Sequence, residues 1–169
     1  NDMDFEEAYN AAIQQKSIAQ QNAAKQDAAL DKELEKLLKL EVVAPDHQAL
    51  SVEAKSVVVR TPEGEIGFLP NHAALIAALK PEIVRYEDAA GKKGYIFIGG
   101  GFVEVNDNHV TILSPSAETA DQIDFDRAAR AKQRAEERLA HRREGNVDVV
   151  RAEAALYRSI ERLKMKQYL

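Results

Sequence analysis

The side chains best suited to chemistry in this 169-residue sequence are arginines set at helical spacing between Gln122 and Leu163. Arg127, Arg130, Arg134, Arg138 and Arg142 recur every three or four residues, which puts them on one stripe of an α-helix. Arg151, Arg158 and Arg162 form a second stripe. A guanidinium group is permanently charged and presents a planar fork of N–H donors, so it suits phosphate and carboxylate oxygens. Two helices of one hairpin can converge such groups: Arg127 and Arg134 from the first, Arg158 and Arg162 from the second. The chemistry on offer is anion recognition rather than bond making. Nucleic acid is disfavoured as the anion, because no aromatics are interleaved with the basic residues and the stripes alternate with Glu136, Glu137, Glu153 and Glu161.

No catalytic constellation accompanies the arginines, and no enzyme is expected. His47, His72, His109 and His141 sit in or beside turn signals, far apart, without metal-ligand spacing. Ser51, Ser56, Ser114, Ser116 and Ser159 have no nucleophile elbow around them. The absence of Cys excludes disulfides and thiolate metal sites, and fits a reducing compartment. The net charge of −5 is uneven. Residues 121–169 hold 12 Lys and Arg against 9 Asp and Glu, while the preceding residues hold 11 against 19. A basic tail on an acidic body points to an anionic partner for the tail. No run approaches 18 apolar residues, so no membrane span is expected, and no signal peptide is visible. The start at Asn1 points to a processed, truncated or engineered terminus.

The elements that must position the arginines fall into three regions. Residues 1–36 are rich in Ala and Gln, without Gly or Pro, and carry apolar residues at roughly helical spacing from Phe5 and Tyr9 to Leu30 and Leu34. A long, solvent-rich helix is expected there. Residues 37–120 change texture: short β-branched runs alternate with turn signals such as Ala44-Pro45-Asp46, Thr61-Pro62-Glu63-Gly64 and Ala90-Gly91-Lys92. Seven or more strands, with breaks at Lys80-Pro81 and Gly99-Gly100-Gly101, predict an antiparallel β-sandwich or flattened barrel. The triple glycine predicts a bulge or a close backbone approach, since a phosphate cradle would need a helix directly after it. Residues 121–169 predict a two-helix antiparallel hairpin. Asp124 is the first N-cap, Gly145 the stop, and the second helix starts at Asn146 or Asp148. The apolar faces, Phe125-Ala128-Ala131-Ala135-Leu139 and Val149-Ala152-Leu156-Ile160-Leu163, are rich in alanine. Such a seam buries little area, so the hairpin should be held weakly and be able to open. The fold class is therefore α+β: sandwich, hairpin and an extra N-terminal helix.

From about Leu38 onward the chain resembles the epsilon subunit of bacterial and chloroplast F-type ATP synthases. The resemblance is carried by Glu63-Gly64-Glu65-Ile66-Gly67-Phe68-Leu69-Pro70-Asn71-His72-Ala73, by Gly100-Gly101-Phe102-Val103-Glu104-Val105 and by Ile123-Asp124-Phe125-Asp126-Arg127-Ala128. Asn71 departs from the family's usual Gly, but Asn tolerates positive φ better than most residues. Residues 5–30 also resemble the helical region of prohibitin/stomatin-type membrane scaffolds, over a stretch of low complexity.

The main resemblance implies a central-stalk rotor subunit. It would bind the gamma subunit, sit on the c-ring through the region of Glu65 and His72, and lie peripherally on the cytoplasmic face of the bacterial inner membrane (the stromal face of the thylakoid in a chloroplast). It implies inhibition of ATP hydrolysis by a hairpin that folds on the sandwich or extends toward the catalytic beta subunits. It also implies ATP as a regulatory ligand of the folded hairpin, with no cofactor required. The matching positions are Glu118, Ile123, Asp124, Arg127, Ala128 and Arg134, with Arg158 and Arg162 as counterparts on the second helix. The alternative is a free-standing ATP-sensing module.

Overall fold

The computed structural model describes residues 4–34 and 36–169, with side chains described outside 31–35. Residues 1–36 and 37–169 form two separate units. The first contains α1 (Phe5–Leu34), an uninterrupted helix with Glu6 and Glu7 in its first turn, where carboxylates favour the helix dipole. Its side chains from Asp4 to Leu30 are exposed. The side chain of Leu34, one of the expected apolar positions, lies outside the described residues.

The second unit begins with seven strands: β1 (Leu38–Ala44), β2 (His47–Thr61), β3 (Gly64–Phe68), β4 (Leu75–Asp88), β5 (Lys93–Asn106), β6 (His109–Leu113) and β7 (Ala117–Glu118). Their order is β1-β6-β5-β4-β2-β3, with β7 on β5 and β1 also paired to β2. Three strands are long enough to serve both layers. β2 pairs with β1 through its first half and with β4 and β3 through its second. β4 and β5 run side by side over their full lengths, from Leu75↔Val105 to Glu87↔Lys93. The expected sandwich is present. One pairing, β1 with β6, is parallel within an otherwise antiparallel arrangement.

The expected breaks at Pro81 and at the triple glycine are bends inside single strands. Pro81 faces Gly99 across the ladder, and the Lys80–Gly100 step is missing from it. Gly100 and Gly101 have φ of +89° and +115°. A Cβ on Gly101 would stand 1.9 Å from the carbonyl oxygen of Leu113. Glycine here lets the strands turn from one layer to the other without a side chain in the way. Asn71 has φ 68°, as its turn requires, and its N–H donates to Asn108 Oδ1 at 2.6 Å.

The sandwich core is almost wholly aliphatic: Leu38, Leu40, Val57, Ile96, Ile98 and Ile112 are fully buried with one aromatic, Phe68. In β5, Ile96, Phe97 and Ile98 are buried in succession. That pattern means a strand covered on both faces. Ile96 and Ile98 point into the sandwich, and Phe97 points out into a second cluster with Ala120, Ile123 and Met165.

The hairpin supplies that cover. α2 (Phe125–Ala140) and α3 (Val149–Lys164) pack on each other, and a 3-10 turn over Met165–Tyr168 follows. Asp124 and Asp148 cap the two helices, accepting from the N–H of Arg127 at 3.0 Å and Arg151 at 3.1 Å. Gly145 is not the helix stop. α2 ends at Ala140 with His141 as its cap, and backbone bonds from Arg142 to Leu139 and from Glu144 to His141 close the end as tight turns. Those bonds satisfy the last carbonyls without a left-handed residue, and Gly145 does not adopt positive φ.

Candidate functional site

The N-terminal end of α2 lies against β7 and the C-terminal half of α3. Between them is a cleft of about 370 Å³ lined by Glu118, Gln122, Asp124, Arg127, Ala128, Ala131, Arg134 and Arg162. Local chemistry places each group. Asp124 is fixed by its capping bond. Arg127 and Arg134 follow at three and ten residues, so both share one helical face with Ala131 between them. Ala128 is buried in the helix seam, where its small side chain keeps the cleft floor open. Glu118 sits on β7, next to the buried Ala117.

Arg162 ties the cleft together. Its Nε donates to Glu118 Oε2 at 2.8 Å, and its guanidinium carbon lies 4.7 Å from the centroid of Phe97. This ion pair is about three-quarters buried, so it is screened less than a surface pair. Among the described residues no ion pair engages Arg127 or Arg134. The cleft thus offers two free guanidinium groups beside one paired one, an arrangement suited to a polyanion.

Of the eight positions matched to a nucleotide site, six line this cleft: Glu118, Asp124, Arg127, Ala128, Arg134 and Arg162. Ile123 is buried beneath it with Phe97 and Met165. Arg158 is one turn before Arg162 on α3, half-buried, and is not a lining residue. Glu65 and His72 are not part of it. Glu65 pairs with Arg85 of β4, and His72 packs edge-on to Phe68 with ring centroids 5.0 Å apart.

Several residues that hold the site give no signal in residue spacing. Met165 is fully buried, Tyr168 stacks on Tyr95 at 3.7 Å between centroids, and Phe97 lies beneath both Arg162 and Met165. The one available sign of Phe97 is the unbroken Ile96-Phe97-Ile98 run, which does not alternate as a strand with one wet face should. Met165 and Tyr168 lie beyond the periodic part of α3 and follow no pattern.

Residues 37–120 match the beta-sandwich domain of the ATP synthase delta/epsilon chain, and residues 121–167 match its long alpha-helix domain. The chain belongs to the ATP synthase epsilon-chain family. It is 47% identical over 133 residues to the ATP synthase epsilon chain of Nitratidesulfovibrio vulgaris strain DP4, covering 79% of this chain and 98% of the relative. It is 50% identical over 124 residues to that of Desulfitobacterium hafniense strain DCB-2, covering 73% and 92%. A chain of the Euglena gracilis mitochondrial ATP synthase, solved as an OSCP/F1/c-ring assembly, superposes with a TM-score of 0.64 at 28% identity, over 75% of this chain and 79% of that one. The epsilon chain is a non-catalytic stalk subunit in the peripheral F1 part of the ATP synthase. Among the described residues no helix is long and apolar enough to cross a membrane. Residues 1–36 precede both matched domains.

Proposed function

We propose that this epsilon chain couples the gamma subunit to the c-ring, restrains ATP hydrolysis through its C-terminal helices, and binds ATP in the cleft between α2, α3 and β7. The observation that carries the regulatory part is the cleft itself: six of the eight positions matched to a nucleotide site face one cavity, and no ion pair occupies two of its arginines among the described residues. ATP held there would touch both helices and β7, so it would favour the docked hairpin by its differential affinity alone. An extended hairpin would present the same arginines to acidic segments of the catalytic beta subunits.

Support for a gamma contact comes from an exposed apolar patch on the sandwich. Ile76, Phe102 and Leu113 are 72%, 59% and 54% exposed. Phe102 pairs with Leu113 on one side and Ala78 on the other, which makes one apolar patch with Ile76. Contiguous exposed apolar surface marks an interaction site. For the c-ring, the β3 end offers exposed Glu65 and Leu69 with His72. The chain would then sit peripherally on the cytoplasmic face of a bacterial inner membrane.

Co-purification with gamma, with and without nucleotide, tests the rotor role. A rotor subunit binds without nucleotide, and Phe102→Asp abolishes that binding while leaving the sandwich folded. Binding only in the presence of ATP would point instead to a free-standing nucleotide sensor. ATP titration followed by NMR at Arg127, Arg134, Arg158 and Arg162 tests the regulatory role, and unchanged signals would remove ATP as the ligand.

A further inference from the structure

A second charged cluster lies where α3 meets β4, and the nucleotide cleft makes no use of it. Glu82 of β4 is 1% exposed. Its Oε1 accepts the backbone N–H of Arg60 on β2 at 2.6 Å, while its Oε2 has no hydrogen-bond partner among the described residues. Above it α3 contributes Glu161, 4% exposed, whose Oε1 is held by Lys164 Nζ at 3.0 Å. Arg60 interacts with Tyr157 of α3 and lies in the field of both Glu161 and Glu82. The remaining charges nearby are Glu65 on β3 and, paired with it, Arg85 on Glu82's own strand.

This arrangement is one proton short of comfortable. A buried ionised carboxylate needs its oxygens hydrogen-bonded and its charge matched, whereas a protonated one needs neither in full. Arg60 is shared by two carboxylates, and only Glu161 has a second cation. Burial, reinforced by Glu161 and Glu65, pushes the Glu82 carboxyl from 4.5 up to about 7 against the pull of the Arg60 amide and guanidinium. Two of the groups in this balance, Glu161 and Tyr157, belong to α3 of the hairpin.

We propose that Glu82 is a proton-gated latch, so that the hairpin takes up a proton at the Glu82–Glu161 pair when it docks and releases it when it leaves. The inference rests on the reading that the hairpin undocks. Lifting α3 removes the like charge of Glu161 and admits water, returning Glu82 toward an ordinary carboxyl. The sign follows from linkage. A carboxyl titrating higher in the docked state contributes most to docking below its undocked value, and loses that contribution as pH rises through about 7. Alkaline pH therefore frees the hairpin and acid pH seats it.

The test is an inter-label distance measurement on the full chain, which has no native Cys, with Asn106→Cys and Arg143→Cys spin-labelled. Between about pH 5.5 and 8 the docked-to-undocked ratio should fall by about tenfold or more, one pKa unit being a factor of ten. Glu82→Gln should hold the acid-like distribution at every pH. Glu161→Gln, which leaves Glu82 in place, should shift the midpoint to lower pH and covers the case in which Glu82→Gln fails to fold. A wild-type ratio independent of pH, while ATP still shifts it, overturns the latch and leaves the mobile hairpin standing. A midpoint that Glu161→Gln leaves unmoved overturns the latch as well. A hairpin docked at every pH, with and without ATP, overturns both the latch and the mobile hairpin.

Discussion

Arg162 and Glu118 are separated by 44 positions in the chain and by 2.8 Å in space. One is on the last turns of α3, the other on the two-residue strand β7. Their contact is where the hairpin, the sandwich and the cleft meet, and both residues line that cleft.

Arg162→Ala should therefore act twice. It removes a cleft cation and a partly buried ion pair, so ATP affinity measured by calorimetry should fall about tenfold or more, the scale of one charge-assisted hydrogen bond. It should also increase the protease sensitivity of α3. Arg158→Ala should weaken ATP binding without that second effect, because among the described residues no ion pair or ring contact ties Arg158 to β7 or Phe97.

The two helix caps provide an internal control. Asp124→Ala and Asp148→Ala each remove a side-chain acceptor for an N-terminal N–H, costing about 1 kcal/mol in denaturant unfolding. Only Asp124 lines the cleft. ATP titration of the two variants should separate them: a loss confined to Asp124→Ala assigns the carboxylate a ligand role beyond its cap, and equal behaviour reduces it to a cap.

Gly101→Ala should destabilise the sandwich by about 3 kcal/mol or more, from a φ that side chains avoid and from a Cβ placed on the Leu113 carbonyl. A thermal melt reads this directly. Gly145→Ala should be neutral or slightly stabilising, since nothing lies within 4 Å of its added Cβ and its backbone is ordinary.

Met165→Ala should open the hairpin. Met165 is fully buried against Phe97, Ala120 and Ile123, and losing such a side chain costs about 2–5 kcal/mol. The alanine seam between α2 and α3 contributes little by comparison. Circular dichroism should retain the helices while proteolysis cuts at the hairpin, because the loss falls on docking rather than on helix formation.

The legible and illegible parts of the molecule divide by how far apart the deciding atoms are. Periodicity and turn chemistry locate the sandwich region, both helices and the Asp124 cap, since each depends on neighbours a few residues away. The arginine stripes are visible for the same reason. Spacing alone cannot add Glu118 to them. It enters through family resemblance, and its ion pair with Arg162 exists only because β7 and α3 are brought together.

Strand continuity goes the other way. Pro81 and Gly99-Gly100-Gly101 read locally as breaks, yet the pairing of β4 with β5 carries both strands through, and the missing side chains make the bend. Gly145 reads locally as a stop, yet the chain has already turned four residues earlier through its own backbone bonds.

The sequence by itself determined the sandwich region, the two hairpin helices and the Asp124 cap, and that the hairpin carries arginines on faces able to share an anion. Only the tertiary structure decided that Met165 and Phe97 anchor that hairpin, that Arg162 reaches Glu118, and that Glu82 is sealed beneath Glu161. Those facts depend on desolvation by residues far away in the chain, and burial of that kind leaves no local pattern to read.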